Sequence, residues 1–443
     1  MAGDYSDLDQ FPETWELKRI GDFASVKGGK RLPTGTALVP TRTNHPYLRI
    51  VDFKDRGIDK SGLMFVPDDV FPQIARYIIS SRDIYVSIVG TIGLVGVVDK
   101  SLDGANLTEN AAKICNIADD VDRDYLAAFL GSGWGQHQIG ALTVGSTQPK
   151  LALFRIGDIR VPLPPLAEQK AIAAVLGALD DKIELNRRMN ATLEAMARAL
   201  FKSWFVDFDP VRAKLEGRPP AGMDAATAAL FPDHFQDSEL GQIPKGWEVG
   251  PILRQADLLS GGTPKTDVPS YWGGEVPWAS AKDVSQCGEA FLVNTERTIT
   301  RLGVAKSATK IIPALATVIV ARGATTGRLT MFGHEMAMNQ TCYSLRSKSG
   351  APFSLYCHAR DFSERLVQGG HGSIFDTITT STFEATDVIL PPKELLLAFD
   401  RVTGPMFDQI LSNLHESRDL ATLRDTLLPK LLSGEVQAPV INS

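Results

Sequence analysis

The stretch Leu163-Pro-Pro-Leu-Ala-Glu-Gln-Lys-Ala-Ile-Ala-Ala-Val-Leu-Gly-Ala-Leu-Asp-Asp-Lys-Ile-Glu-Leu-Asn186 returns at Leu390-Pro-Pro-Lys-Glu-Leu-Leu-Leu-Ala-Phe-Asp-Arg-Val-Thr-Gly-Pro-Met-Phe-Asp-Gln-Ile-Leu-Ser-Asn413, at a constant offset of 227. Ala171/Ala398, Val175/Val402, Asp181/Asp408, Ile183/Ile410, Asn186/Asn413, Leu193/Leu420 and Leu200/Leu427 are identical pairs. The register stays ungapped from Gly145-Ser146 and Gly372-Ser373 onward, for almost sixty residues. One inserted residue would have broken it, so the chain is a duplication: module, helix, module, helix.

The first helical stretch, Leu166 to about Trp204, carries Leu176, Leu179, Ile183, Leu193, Ala197, Leu200 and Trp204 at spacings of three and four, a heptad-like seam. Ile410, Leu420 and Leu427 continue it on the second helix. Asn186 and Asn190 fall on the seam, and Asn413 repeats Asn186. A buried Asn there pins register at a cost in stability; the alternative is a partly exposed position. Gly404-Pro405 in the second helix predicts a kink or a late start, because proline lacks a donor and crowds the preceding turn. Pro429 is expected to end that helix.

Each helix follows a β-rich module of about 150 residues. Tyr47-Leu-Arg-Ile-Val and Asp83-Ile-Tyr-Val-Ser-Ile-Val read as strands in the first, Val276-Pro-Trp-Ala-Ser and Thr317-Val-Ile-Val-Ala-Arg in the second. Pro12…Trp15-Glu16 matches Pro244…Trp247-Glu248, and Gly28-Gly29 matches Gly261-Gly262 as turn glycines between strands. Pro46-Tyr47…Asp52 matches Pro277-Trp278…Asp283, and Val86-Ser87…Thr91…Gly93 matches Val320-Ala321…Thr325…Gly327. Asp209 to Gln242, with Gly217-Arg-Pro-Pro-Ala-Gly and an alanine-rich run, reads as a surface linker with one short helix. The expected segments are 1–164, 165–208, 209–242, 243–390 and 391–443, in an α+β chain of two β-rich α/β modules with two long antiparallel helices forming a coiled-coil spacer.

The 443 residues carry a net charge of −6, which argues against a uniformly basic nucleic-acid binder. The distribution matters more. Leu17 to Arg56 holds nine basic residues (Lys18, Arg19, Lys27, Lys30, Arg31, Arg42, Arg49, Lys54, Arg56) against Asp22, Asp52 and Asp55. Arg297 to Thr330 holds six (Arg297, Arg301, Lys306, Lys310, Arg322, Arg328) and no acid. A positive stretch in each repeat points to a polyanion. No apolar run approaches the roughly 18 residues of a membrane span, and the polar, acidic N-terminus does not read as a secretory signal. Cys115, Cys287, Cys342 and Cys357 show no C-x-x-C spacing, so a reducing cytoplasm is expected.

Catalytic signatures are missing. There is no G-x-x-x-x-G-K-[ST] loop. Gly90-Thr-Ile-Gly and Ala324-Thr-Thr-Gly lack dinucleotide spacing, and Leu163-Pro-Pro-Leu lacks the polar first and aromatic last residues of an adenine methyltransferase tetrapeptide. Glu168-Gln-Lys170 and Asp180-Asp-Lys182 lie on the seam helix and read as solvated charges. The seven histidines (His45, His137, His234, His334, His358, His371, His415) form no i,i+4 pair. Three classes stay open: a non-catalytic DNA-binding subunit, a protein-binding scaffold, and a self-sufficient nuclease or methyltransferase.

The run from Leu163 to Asn190, continuing to Leu200-Phe-Lys-Ser-Trp-Phe-Val-Asp-Phe-Asp-Pro, closely resembles the central conserved region of specificity (S) subunits of Type I restriction–modification systems. Ser260-Gly-Gly-Thr-Pro-Lys-Thr and Tyr271-Trp-Gly-Gly-Glu-Val-Pro-Trp-Ala-Ser look like the opening of that family's target recognition domain. The chain departs in detail: Lys30-Arg31 stands where the second module has Thr263-Pro264.

The resemblance implies two target recognition domains, each reading half of a bipartite double-stranded DNA site, and a non-catalytic chain with no cofactor of its own. The helix pair would be a spacer of at most roughly 60 Å, about 17 base pairs. Partner methyltransferase subunits, typically two, would use S-adenosylmethionine, and restriction/translocase subunits would use ATP and Mg. Candidate DNA contacts are Lys30, Arg31, Arg49 and Lys54 in one half and Lys265, Lys282, Arg322 and Arg328 in the other; lysines suit phosphates, arginines guanine edges. Phe201, Trp204, Phe205 and Phe208 form either a docking face for a methyltransferase subunit or a helix end packed on its own domain.

Overall fold

The computed structural model describes residues 11–54, 57–145, 149–369 and 377–439. Asp55, Arg56, Ser146, His371, Gly372 and Ser373 lie outside them. The chain mixes short sheets with two long helices, Leu166–Phe201 (36 residues) and Lys393–Leu432 (40 residues). By internal contacts it divides into two compact units, Met1–Lys182 with Asp419–Ser443, and Ile183–Arg418. The division runs through both helices and not at their starts.

In the first unit, Ser25–Gly28, Ala111–Cys115, Ile84–Ser87 and Val95–Val97 form an antiparallel sheet in that order. A second sheet orders Met64–Phe65, Pro46–Leu48, Ala105–Leu107 and Ile78–Ile79, with Pro46–Leu48 and Ala105–Leu107 parallel. Ile84, Val86, Ala112 and Ile114 alternate inward and bury against Tyr125, Leu126 and Phe129 of the helix Arg123–Gly131. Glu16–Arg19 pairs antiparallel with Arg160–Leu163, tying the start of the module to the threshold of its helix.

The second unit repeats the plan. Ala256–Ser260, Cys342–Ser347, Thr317–Val320, Leu329–Phe332 and Phe291–Leu292 form one sheet; Arg297–Ile299, Trp272–Ala279 and Ala337–Met338 form another. Glu248–Pro251 pairs with Asp387–Leu390, as Glu16–Arg19 does with Arg160–Leu163.

Several expectations need correction. The run from Tyr47 leaves the strand at Leu48, because the buried Asp52 carboxylate accepts the Arg49 N–H at 2.8 Å and caps a tight turn over Ile50–Asp52. The segment 209–242 holds two short helices, Asp209–Leu215 and Ala225–Ala229, and a hairpin of Phe235–Ser238 with Gly241–Pro244. The second long helix starts at Lys393 and continues through both Pro405 and Pro429 to Leu432. Each proline orphans the carbonyl four residues back, on Arg401 and Asp425. Both of those residues are exposed, so water can replace the lost donor, while burial of Leu428, Leu431 and Leu432 holds the last turn.

Candidate nucleic-acid interface

Backbone packing builds one surface frame twice. An added Cβ on Gly29 would lie 2.1 Å from the Thr108 carbonyl oxygen, and on Gly261 2.0 Å from that of Asn339. These glycines are therefore close-approach residues, not turn residues. The next N–H binds the neighbouring strand end: Lys30 donates to Leu107 O at 2.8 Å, Gly262 to Met338 O at 2.9 Å. The carbonyl of that residue then accepts from an aromatic side chain, the Tyr47 hydroxyl to Lys30 O at 2.9 Å and Trp278 Nε1 to Gly262 O at 3.0 Å. Burial pushes the Tyr47 phenol up to about 12, so it remains a donor at neutral pH.

These contacts correct the repeat alignment by one residue. Gly29 corresponds to Gly261, Lys30 to Gly262, and Arg31 to Thr263. The two Gly-Gly dipeptides match in sequence but differ in surroundings. Beyond the frame, Arg31 Nε donates to Glu109 Oε1 at 2.7 Å, while the Thr263 hydroxyl meets Gln340 Oε1. Further along, Gly93 and Gly327 share a φ of +88°. Their N–H groups donate to Ser87 O and Val320 O, so these loops are matched turns.

The nominated cations divide by surroundings. Arg49 is occupied: Nε and Nη2 take both oxygens of Asp52, at 3.0 and 2.7 Å, and Nη2 also donates to Gly62 O. The fork thus holds its own turn, where Ser280 and Asp283 do the same in the second module. Lys54 pairs with the half-buried Asp59 at 3.7 Å and Lys282 with Glu296 at 2.7 Å, the other three side chains being largely solvated. Lys30 is exposed, with Nζ 5.9 Å from the Tyr77 ring centre. Lys265, Arg322 and Arg328 are exposed and have no acidic partner among the described residues. Arg322 lies two residues past the end of the central strand Thr317–Val320, bridged through its backbone to Thr377.

One cation of the basic stretch 297–330, outside the candidate DNA contacts, sits on an aromatic pair. Arg297 lies 3.5 Å over the Trp272 ring and 5.8 Å from Trp278, whose rings meet edge to face. Arg297 reaches the two rings from the paired strand Arg297–Ile299, a cation–π contact that no local sequence pattern reports.

The helix pair is held by a polar ladder. Asn413 Nδ2 donates to Asn190 Oδ1 at 2.9 Å, and Asn186 Nδ2 donates to Glu416 Oε2 at 2.8 Å and Ser417 Oγ at 3.2 Å. Asn186, Asn190 and Asn413 are all buried. Within the first unit Arg424 Nη1 pairs with Asp180 at 2.7 Å, so Asp180 is not a free solvated charge. Partner numbers fall on one helix as they rise on the other, the mark of antiparallel packing. Leu176 packs beside Leu428 and Leu431 with Leu427 at the margin, and Leu193 and Leu200 flank the cluster holding Ile410. Leu179, Ile183 and Leu420 are half-buried.

Phe201, Trp204, Phe205 and Phe208 are buried in their own unit. Trp204 packs edge-on to Phe231 and Phe399, Phe205 on Trp247 and His358, and Phe208 on Trp247. A π-helical turn over Lys202–Val206 and a left-handed Phe208 (φ 55°) aim these rings inward, so their faces are covered. Of the two readings of this cluster, packing on its own domain is the one the geometry supports.

Among the described residues no group of three or more His, Cys, Asp or Glu could hold a metal ion, and no helix is long and apolar enough to cross a membrane.

Comparison with known proteins agrees with this duplicated plan. The family described as "Type I restriction modification DNA specificity domain" matches residues 12–195 and 244–404. The Type I restriction enzyme HindI specificity subunit of Haemophilus influenzae is 29% identical over 335 residues, 66% of this chain and 72% of that protein. The MjaIX specificity subunit of Methanocaldococcus jannaschii is 24% identical across 98% of this chain and 96% of its own length. A solved S subunit from M. genitalium superposes with a TM-score of 0.54 at 16% identity, over 96% of this chain and 98% of that one, a likeness of fold. Two matched modules, each followed by its helix and together spanning most of the sequence, place the chain in the family of Type I restriction–modification specificity subunits.

Proposed function

We propose that this chain selects the DNA sequence for a Type I restriction–modification complex, each module recognising one half of a bipartite double-stranded target. The observation that carries this reading is the repeated frame at Gly29 and Gly261, which presents a different side-chain pair in each module. A duplicated scaffold with different surface chemistry suits two unlike half-sites. The exposed Lys30 and Lys265 would neutralise phosphates nearby, and the exposed Arg322 and Arg328 would reach base edges. The helix pair, locked in register by Asn186, Asn190 and Asn413, would set the gap between half-sites.

The chain itself would do no chemistry. Methyltransferase subunits, two in the expected assembly, would supply S-adenosylmethionine-dependent transfer to a flipped adenine. Restriction subunits would bring ATP and Mg, and the assembly would work in the cytoplasm. The test is methylome sequencing of the host with and without this gene. A bipartite methylated motif that vanishes with the gene supports the reading; an unchanged methylome refutes it.

A further inference from the structure

Everything in the repeated frame is matched between modules up to Lys30 and Gly262. The glycine backbone presses on a facing carbonyl, the next N–H is bonded, and that residue's carbonyl is fixed by an aromatic donor. The following position then diverges. Arg31, its side chain 79% exposed, is held by Glu109 in the first module; Thr263 is held by the exposed Gln340 in the second. Such a frame fixes where a side chain starts and leaves its chemistry free.

We infer that the pairs Arg31–Glu109 and Thr263–Gln340 are the specificity-determining positions of the two modules, and that their unshared polar atoms read base edges. This rests on the proposed DNA-reading function. With Nε engaged by Glu109, the two terminal nitrogens of Arg31 are left for guanine O6 and N7, while Glu109 Oε2 accepts from Thr108 Oγ1 at 3.2 Å and the Tyr47 hydroxyl at 3.4 Å and so anchors the pair. That pair suits a G·C step. The Thr263 hydroxyl engages Gln340 Oε1 and leaves the Gln340 amide nitrogen to donate to adenine N7, so the second pair suits an A·T step. Each partner also holds its neighbour in one rotamer, which lowers the ordering cost on binding.

The experiment exchanges the pairs in the full chain, assembled with its methyltransferase subunits in the host: Arg31→Thr with Glu109→Gln in one strain, Thr263→Arg with Gln340→Glu in another. Methylome sequencing reads every genomic site. The first exchange is expected to relax or change one G·C position in one half-site, with discrimination there falling roughly fivefold or more, while the other half-site is untouched. The second should do the converse at an A·T position. Unaltered half-sites in both strains, or a uniform loss of methylation at every site with preferences intact, overturns the inference. If an exchanged chain melts well below the parent, Arg31→Lys and Gln340→Glu give the same readout with one atom group changed. A parent strain without a bipartite motif defeats the underlying reading, a different failure from an intact motif that ignores these substitutions.

Discussion

Asn413 Nδ2 donates to Asn190 Oδ1 at 2.9 Å, with both side chains buried between the long helices. Asn186, the repeat mate of Asn413, bonds Ser417, which stands at the repeat position of Asn190. The two hydrogen bonds are therefore related by exchange of the repeats. This segment of the helix pair has a local two-fold character, as expected when two copies of one helix pack antiparallel.

Asn413→Ala is expected to destabilise the chain by about 1–3 kcal/mol, because it leaves Asn190 buried without its donor. Asn190→Leu with Asn413→Leu should recover much of that loss while weakening the preference for one register. Denaturant titration of the singles and the double gives the coupling. Strict additivity would show that the amides do not act together.

Gly29→Ala and Gly261→Ala place a methyl about 2 Å from backbone oxygen. Neither facing strand can retreat without losing its ladder, so each change is expected to cost upwards of about 3 kcal/mol. Gly28→Ala, whose nearest neighbour is a Leu153 methyl at 3.4 Å, should be mild. Thermal melting of the three separates the close-approach glycine from its neighbour.

His358 is enclosed by Phe201 and Phe205, and its Nδ1–H donates to Ser354 O at 2.9 Å. Burial pushes its pKa down to about 4 from the usual 6.5. The unfolded ring thus gains a proton between pH 6.5 and 4 that the folded ring refuses, a loss of roughly 3 kcal/mol as pH falls. Asp400, which accepts the Phe353 and Ser354 N–H groups, is pushed by burial up to about 6. Its folded form gains the proton first, so its contribution rises as pH falls from 6 to 3.8. The two slopes nearly cancel. Relative to the parent, His358→Gln should gain stability on acidification and Asp400→Asn should lose it; parallel pH profiles for all three would refute this.

Arg322→Ala removes an exposed cation with no acidic partner among the described residues, just past the central strand Thr317–Val320 of the second module. It should weaken binding governed by one half-site and leave the other preference intact. Competition binding against duplexes altered in either half-site checks this. Equal loss on all sequences would mark a phosphate contact only.

The duplication, the α+β class, both long helices and the seam asparagines were legible because each rests on periodicity or repetition along the chain. The prolines misled on where the second helix starts and stops, since that depends on whether the orphaned carbonyl meets water, and only the fold exposes Arg401 and Asp425. Cation nomination was weakest. Charge is visible in sequence but its partner is not: Asp52 claims Arg49, while Trp272 selects Arg297. The pairs at Arg31 and Thr263 join residues 78 and 77 positions apart, a separation that no local pattern reports.

The most direct test of the account lengthens both long helices by four residues at the level of the Asp180–Arg424 pair and maps methylation in the host. Each helix then gains roughly 6 Å, about two base pairs of DNA. The account predicts the same two half-sites separated by a gap about two base pairs longer. Altered half-sites at an unchanged gap would contradict it.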